Sequence, residues 1–531
     1  MVMTSGRGGA YGGLIANLAR RNGRKELTDQ QGSFADGLNT AADPSHVGPN
    51  EFVRAENCLL TNYGAIVKRR GTQRTHQTAF ADPIQGGFAW TPLSDTSELL
   101  VSDGTLYTGV YGIPMTWTAQ SGTLDADATI GFAAFRHTST DVAYLADGGP
   151  LNKWDGTTLS TDITDTPNVS RLCVQNGRLW GISGTDNLLY GSDLNDGDTL
   201  GVSASGGGTF AIATFGGQQI VELLALGNSL ILIQREAVSR FTGWTIDDFD
   251  VLTGTRGVSA DVGTVCARSV CQQENEGFFL SDRGFYSVTE AGVTPQSLQI
   301  RPLLAQLSQS DWSMVTCAHF KALYELRWFI PHVGLVVFNY ALRKWTGPMT
   351  GTYLTHPVVA MWPTFDESDR PIVLSAHDDG FVRRTERPSG ICKDDVLSNG
   401  TGGVRYTLVA KCRRLFCRDA VGEKAYRFAW VTCNLQTSDR AALVCETDSD
   451  AAVVRFPTDP NFGTWDTEGG VWDALALGQG QPWYWGGVAY DRKRLPLTGH
   501  GEWIDLTIQD DGYAESIFAR VDLRAFYLGE R

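Results

Sequence analysis

A chain of 531 residues exceeds a single small domain, and a composition 42% hydrophobic and 19% charged supplies apolar side chains for sizeable cores. The net charge of −15 argues against a general nucleic-acid binder, whose affinity comes from neutralising phosphates with Lys and Arg, but not against a surface that DNA slides past. No run approaches the roughly 18 apolar residues of a membrane span, and Met1 to Gly13 lacks the apolar core of a secretory signal. The sequence therefore reads as a protein made and kept in a cytoplasm, with no membrane insertion.

The 60 glycines, set among 15 Trp, 16 Tyr and 24 Phe, favour Gly-rich turns between aromatic and β-branched strands, an all-β chain. Residues 1–63 read as an N-terminal docking extension. Its start is flexible at Gly8, Gly9, Gly12 and Gly13. Leu14, Ile15 and Leu18 then share one face of a short helix, and Arg20, Arg21, Arg24 and Lys25 make it basic. A helix that short orders only by packing on a partner.

Residues 64–386 carry a recurring pattern: an apolar run, a tight Gly turn, a second apolar or aromatic run. Examples are Leu99-Leu-Val-Ser-Asp-Gly-Thr-Leu-Tyr107, Leu172-Cys-Val-Gln-Asn-Gly-Arg-Leu-Trp180 and Val373-Leu-Ser-Ala-His-Asp-Asp-Gly-Phe-Val382. Asn-Gly and Asp-Gly suit two-residue hairpins, whose central positions need positive φ. Most turns recur at about 45 to 55 residues, the spacing of β-propeller blades, with one much shorter step between Gly148 and Gly177. Seven hairpins with one short step fit six blades or seven, and six is favoured. Ring closure calls for an early strand, Ala65–Arg70, in the last blade near Ile372–Val382.

Residues 387–403, with Arg387-Pro-Ser-Gly390 and Ser398-Asn-Gly-Thr-Gly-Gly403, read as a linker. Residues 404–531 read as a separate antiparallel β domain resembling a sandwich, with strands at Tyr406–Ala410, Ala425–Cys433, Ala441–Cys445 and Ile517–Phe526. In the last, Ile517, Ala519, Val521 and Leu523 face one way and Ser516, Arg520 and Asp522 the other, an alternation that leaves one wet face.

The ten cysteines mostly sit in apolar runs and read as buried free thiols. There is no HExxH, Walker loop or G-x-S-x-G elbow. Asp193-Leu-Asn-Asp-Gly-Asp198 resembles a calcium loop, but its Gly comes one place early and Ala204 stands at position twelve, so an acidic turn is the reading. Asp247-Asp-Phe-Asp250 reads the same way. No catalytic residue, metal site or cofactor is indicated, and the expectation is a protein that is not an enzyme. Two basic clusters, Lys68, Arg69, Arg70 and Arg74, then Lys411, Arg413, Arg414 and Arg418, read as charged strand edges or as contacts to DNA or an acidic partner.

Three stretches carry a family likeness: Gly32-Ser-Phe-Ala-Asp-Gly-Leu-Asn-Thr40, Glu51-Phe-Val-Arg-Ala-Glu-Asn57 and Gly64-Ala-Ile-Val-Lys-Arg-Arg-Gly-Thr72. They resemble the start of many tailed-phage head–tail proteins, except that Asp36 stands where that pattern has its first Gly. Leu223–Trp244, Gly257–Leu307 and Thr316–Trp345 resemble the tail nozzle, or packaged-DNA stabilisation protein, of short-tailed phages. The resemblance implies a homohexameric ring of propeller subunits in the virion tail, made in the host bacterial cytoplasm. The ring would lie below portal and adaptor, carry a needle, spike or fibres, and let double-stranded DNA pass without sequence-specific binding. It raises interest in Lys68, Arg69, Arg70 and Arg74 as interface or DNA-proximal residues. The alternative is a carbohydrate- or receptor-binding propeller of a tail tip.

Overall fold

The computed structural model describes residues 26–531 except 94–95, 203–204, 213–214, 216–217, 249–254, 388–391, 418–422, 436–439, 457–490 and 530–531. The docking residues Leu14, Ile15, Leu18, Arg20, Arg21, Arg24 and Lys25 lie outside this set, as do Asp250 and Arg418. The chain is all-β and is built from many small sheets.

Six antiparallel four-stranded meanders follow one another at residues 84–119, 131–160, 171–211, 220–259, 271–295 and 316–349. A seventh uses Val358–Phe365, Pro371–His377 and Val382–Arg384, and its fourth strand is Gln73–Arg74 from the far end of the chain. Successive units pack mostly first strand on first strand, Gly131–His137 on Ile84–Trp90 and onward, with Ile220–Leu226 meeting Glu276–Ser281 of the fifth unit, until Val358–Phe365 returns to Ile84–Trp90. Gly86 and Gly87 make the last approach feasible, since a Cβ at Gly87 would lie 2.3 Å from the Trp362 ring. Middle strands of these units are covered on both faces. Every residue of Ser229–Gln234, Glu325–Ile330 and Gly334–Asn339 is buried.

Two features differ from the sequence expectation. The described residues contain seven such units, not the favoured six. The short step between Gly148 and Gly177 misled because those turns are not equivalent: Gly148 follows the second strand of its unit, and Gly177 follows the first strand of the next. The early strand paired with the last unit is Gln73–Arg74, which pairs with Arg383 and Arg384, rather than Ala65–Arg70. Strand Ile66–Lys68 pairs instead with Cys58–Leu60 and Ile517–Phe518.

Two larger sheets complete the fold. One runs Gly37–Leu38, Glu51–Glu56, Leu408–Cys412, Ile504–Asp510, Ala441–Thr447 and Ala451–Arg455. The other holds Cys58–Leu60, Ile66–Lys68, Ile517–Gly529, Glu423–Asn434 and Asp491–Pro496, with Glu26–Gln31 and His500–Gly501 on the long strands. Residues 26–60, read as docking extension, are thus strands of these sheets, and residues 404–531 do not build them alone. The segment 387–403 also holds strand Lys393–Val396, paired in parallel with Gln73 and antiparallel with Gly402–Arg405. In Ile517–Gly529 the alternation runs through Val521, Leu523 and Ala525 but slips earlier. A register shift at Thr432/Cys433 buries Phe518 and leaves Ala519 half-exposed.

Inner faces of both large sheets share one core, which continues through Phe278, Phe285, Trp328 and Trp345 into the fifth and sixth meanders. Trp345 packs on Phe285, Trp328 and Phe338, and its indole N–H donates to Gln296 O at 2.6 Å. Burial of such rings contributes about 2–3 kcal/mol each.

Closure by the early strand is testable at Thr75. Its N–H and hydroxyl both donate to Val382 O, at 2.9 and 3.0 Å. Thr75→Pro removes both donors and leaves a buried carbonyl unpaired, at a cost of about 1–3 kcal/mol. The urea midpoint should fall, and hydrogen exchange should accelerate first in Val382–Arg384. An unchanged midpoint would mean that closure does not rest on this strand.

Candidate functional site

The basic residues 68–74 do not form a surface. Lys68 and Arg69 are buried, each with 1% exposure. The Lys68 ammonium donates to Asp510 O and Gly512 O, both at 2.7 Å, with the Asp510 carboxylate 3.9 Å away. Burial lowers its pKa, and Asp510 opposes that shift. Neither Lys68 nor Arg69 is placed to touch DNA.

Arg69 uses all five N–H donors. Two go to Asp394, at 2.7 and 2.5 Å, and the others to Asn57 Oδ1, Thr350 O and Arg70 O. The guanidinium lies over Tyr406, 3.8 Å from the ring centroid, with Tyr353 at 5.4 Å. Asp394 also accepts from Thr72 N and Thr352 N, at 3.3 and 3.2 Å. A buried pair is tolerated only when its remaining hydrogen-bonding positions are filled, and here they are.

Asn57 completes the joint. It sits at φ 55°, a conformation Asn tolerates better than most residues. Its amide donates to Thr350 Oγ1 and Thr407 O, at 2.8 and 2.9 Å, and its side-chain oxygen accepts from Arg69 and Thr350 N. One side chain therefore ties the turn after Glu51–Glu56 to the end of the sixth meander and to the start of Leu408–Cys412. Gly37 makes a similar approach. At φ 76°, a Cβ there would lie 2.8 Å from Trp345 O.

A second set of ion pairs borders this joint. Arg327 bonds Glu325 at 2.6 and 2.8 Å and Glu386 at 3.3 Å, and Glu386 accepts from Arg70 N at 2.8 Å. Burial pushes Glu325 up to about 7, against the pull of Arg327. Arg74 and Arg383 share Asp395, and Arg383 also forks onto Asp379. Arg70 is half-exposed beside Glu515. The described members of the later cluster are also paired, though partly exposed: Arg414 and Lys411 meet Asp505, both at 2.9 Å, and Arg413 meets Asp29 at 2.9 Å. What the sequence offered as outward charge is mostly an internal ionic weld.

Asn57, Arg69 and Arg70 lie in the family-like stretches, but their partners Asp394, Glu386 and Tyr406 carry no local signal. All ten cysteines are free, and eight are buried. Burial pushes Cys58, Cys412 and Cys445 up to about 12, far from thiolate reactivity. Among the described residues, His137, Asp196 and Asp198, and His356, Asp378 and Asp379, are close enough to share a cation. Lys153 already pairs with Asp198 and Arg383 with Asp379. The Asp193–Asp198 turn thus holds its own lysine.

No family model matches the chain, and no curated protein does. Similar solved structures include the extracellular domain of a proposed hybrid two component system from B. thetaiotaomicron. It is 10% identical at TM-score 0.42, over 61% of this chain and 40% of that one. Another is PorZ of Porphyromonas gingivalis, an essential bacterial surface component of the type-IX secretion system, 12% identical at TM-score 0.37 over 72% and 46%. The chain spans less than half the length of each, and likeness at this level assigns no activity. Among the described residues no helix is long and apolar enough to cross a membrane.

Asp394→Ala strands a buried guanidinium and should cost about 3–5 kcal/mol in urea unfolding. Adding Arg69→Ala should cost far less than the two single losses summed, because the pair acts as one unit. Additive losses would sink the weld. Glu98 gives a pH signature. It accepts from Trp362 Nε1 at 2.7 Å and from the Thr364 hydroxyl, joining first and seventh meanders, and burial raises its carboxyl from 4.5 to about 7. A raised carboxyl contributes fully below the unfolded value, and that contribution is lost as pH rises through about 7. Stability should therefore fall between about pH 5 and about pH 8, by no more than about 3 kcal/mol from this group. Glu98→Gln should flatten that slope, and an unchanged slope would clear Glu98 of the effect.

Proposed function

We propose that the seven meanders form a seven-bladed β-propeller, that the two larger sheets form a sandwich, and that the chain is a structural subunit of a phage tail nozzle. In this reading identical copies close a homohexameric ring below a portal and adaptor, extend the DNA channel, retain the packaged genome and anchor needle, spike or fibres. The observation that carries it is where the family-like stretches fall. Gly37, Asn57, Arg69 and Arg70 are the residues that weld the meanders to the large sheets. A part that bears load between two rings needs such a weld, because domains joined by a hydrated linker move by default.

The charge balance supports the same reading. A protein of net charge −15, with most described arginines of the joint neutralised internally, offers DNA a surface that repels rather than holds it. A ring requires heterologous contacts that close, and a rigid wedge favours closure over open filaments. Chemistry is not part of the proposed role.

Native mass spectrometry of the full chain tests it, with purified portal–adaptor as partner. A ring oligomer, or assembly onto that complex, is expected. A stable monomer that binds glycans saturably would replace this reading with the receptor-binding one. Particles lacking the protein should fill with DNA and then leak it, whereas normal genome retention would count against the role.

A further inference from the structure

One end of the meander array is concave. A cavity of about 260 Å³ lies where the first strands of successive units begin, lined by Thr129, Ser170, Arg171, Ser183, Arg268 and Ser313. A second, of about 590 Å³, shares Val221, Val265 and Ser313 with it and adds Arg235, Gln309 and Trp312. Glu236 and Asp282 line the second cavity but not the first.

Two guanidiniums face the first cavity, and their situations differ. Arg171 has an acid, Glu222, at 3.4 Å, and donates to Ser170 O at 2.6 Å. Arg268 has none. Its Nη1 donates to Val359 O in the seventh unit at 2.9 Å, and Nη2 donates to Ser313 O at 3.0 Å. Two of its five N–H groups are used, and no carboxylate lies within ion-pair distance among the described residues. Its half-buried charge is therefore uncompensated, and Arg171 adds like charge beside it. In a chain with 59 acidic residues to 44 basic ones, a cation kept from acids inside a concavity is an anion seat by ordinary electrostatics.

We propose that this concavity binds an oxyanion, with Arg268 as its principal donor and Arg171 as the second, and that the adjoining cavity under Trp312 holds the body of the small polar ligand that carries it. This site is independent of the nozzle reading, since it rests on the packing of the meanders and not on their assembly. Glu222 sets its charge. Burial pushes this carboxyl up to about 7, against the pull of Arg171. The other titratable groups facing it are Cys173 on the strand of Arg171 and Cys317 on Thr316–Phe320. Both are held as neutral thiols by burial, Cys173 pushed up to about 12. Protonation of Glu222 frees Arg171 for the anion, so binding tightens as pH falls from about 8 to about 6.

The full chain is titrated with inorganic phosphate and, separately, acetate at constant ionic strength, by calorimetry and thermal shift. Saturable binding of one or both is expected, with phosphate the tighter if the ligand carries a phosphoryl group and acetate the tighter if it carries a carboxylate. Arg268→Gln should weaken the tighter anion at least about tenfold, and Arg268→Lys should recover part of that loss. A sulfate series, whose charge is constant over this range, reads the pH dependence. Glu222→Gln should bind sulfate several-fold tighter at about pH 8 and show a flat profile. Glu222 lies outside the anion seat, so this variant tests the site even where Arg268→Gln fails to fold. No saturable binding of any of the three anions, or affinities unchanged in both variants, overturns the proposal.

Discussion

The joint between the meanders and the large sheets depends on one buried ion pair, Arg69 with Asp394, being complete. Arg69 and Asp394 are some three hundred residues apart in sequence, and neither would be tolerable inside the protein without the other. Desolvating two charges costs several kcal/mol each, and a single Coulombic contact does not recover that. The remaining donors and acceptors do: Asn57 Oδ1, Thr350 O and Arg70 O take the other three guanidinium N–H groups, and Thr72 N and Thr352 N donate to Asp394. Geometry at this point is consequently over-determined. The turn at Asn57, the loop at Gly351 and strand Lys393–Val396 must all arrive together, or the pair is uncompensated.

That requirement explains why the two ends of the chain meet here. Gln73–Arg74 closes the seventh meander only four residues after Arg69, and Ile66–Lys68 lies in a large sheet just before it. The stretch from Ile66 to Arg74 thus serves both halves of the molecule. The adjoining pairs, Arg327 with Glu325 and Glu386 and Arg383 with Asp379 and Asp395, extend the same polar layer across the seventh unit. The apolar counterpart runs beside it, where Trp328 and Trp345 join the core of the meanders to that of the large sheets. Polar groups fix the register of the joint, and apolar burial supplies most of its strength.

The hairpins were legible because their information is local. Asp103-Gly104, Asn176-Gly177 and Asp379-Gly380 each place positive φ where the chain reverses, and seven such turns mark seven units. Their spacing misled only because a turn may follow the first strand or the second. The weld was not legible. Lys68-Arg-Arg70 looks like a charged edge because the carboxylates that neutralise it lie far along the chain, and no local pattern announces a pairing across that distance. For the same reason Glu51–Glu56 read as part of an arm: its partner strand, Leu408–Cys412, begins some 350 residues later. Phe518 and Ala519 exchanged places for a smaller reason, since a bulge moves side chains between faces without leaving a mark in the alternation.

The contrast between Arg69 and Arg268 makes the sharper point about function. In the joint, Arg69, Arg327, Arg383 and Arg384 are each paired with an acid: Asp394, Glu325, Asp379 with Asp395, and Asp366. Selection for stability alone produces that pattern, because an unpaired cation in a low-dielectric setting is costly. Arg268 has no acid although acids outnumber bases overall, and Arg171 adds like charge beside it. Its contacts with Val359 O and Ser313 O hold the side chain across the concavity without neutralising it. Buried Arg178 and Arg387 also bond only neutral oxygens, but neither lines this cavity; Arg268 does, and its charge is open to a counter-ion from outside the chain.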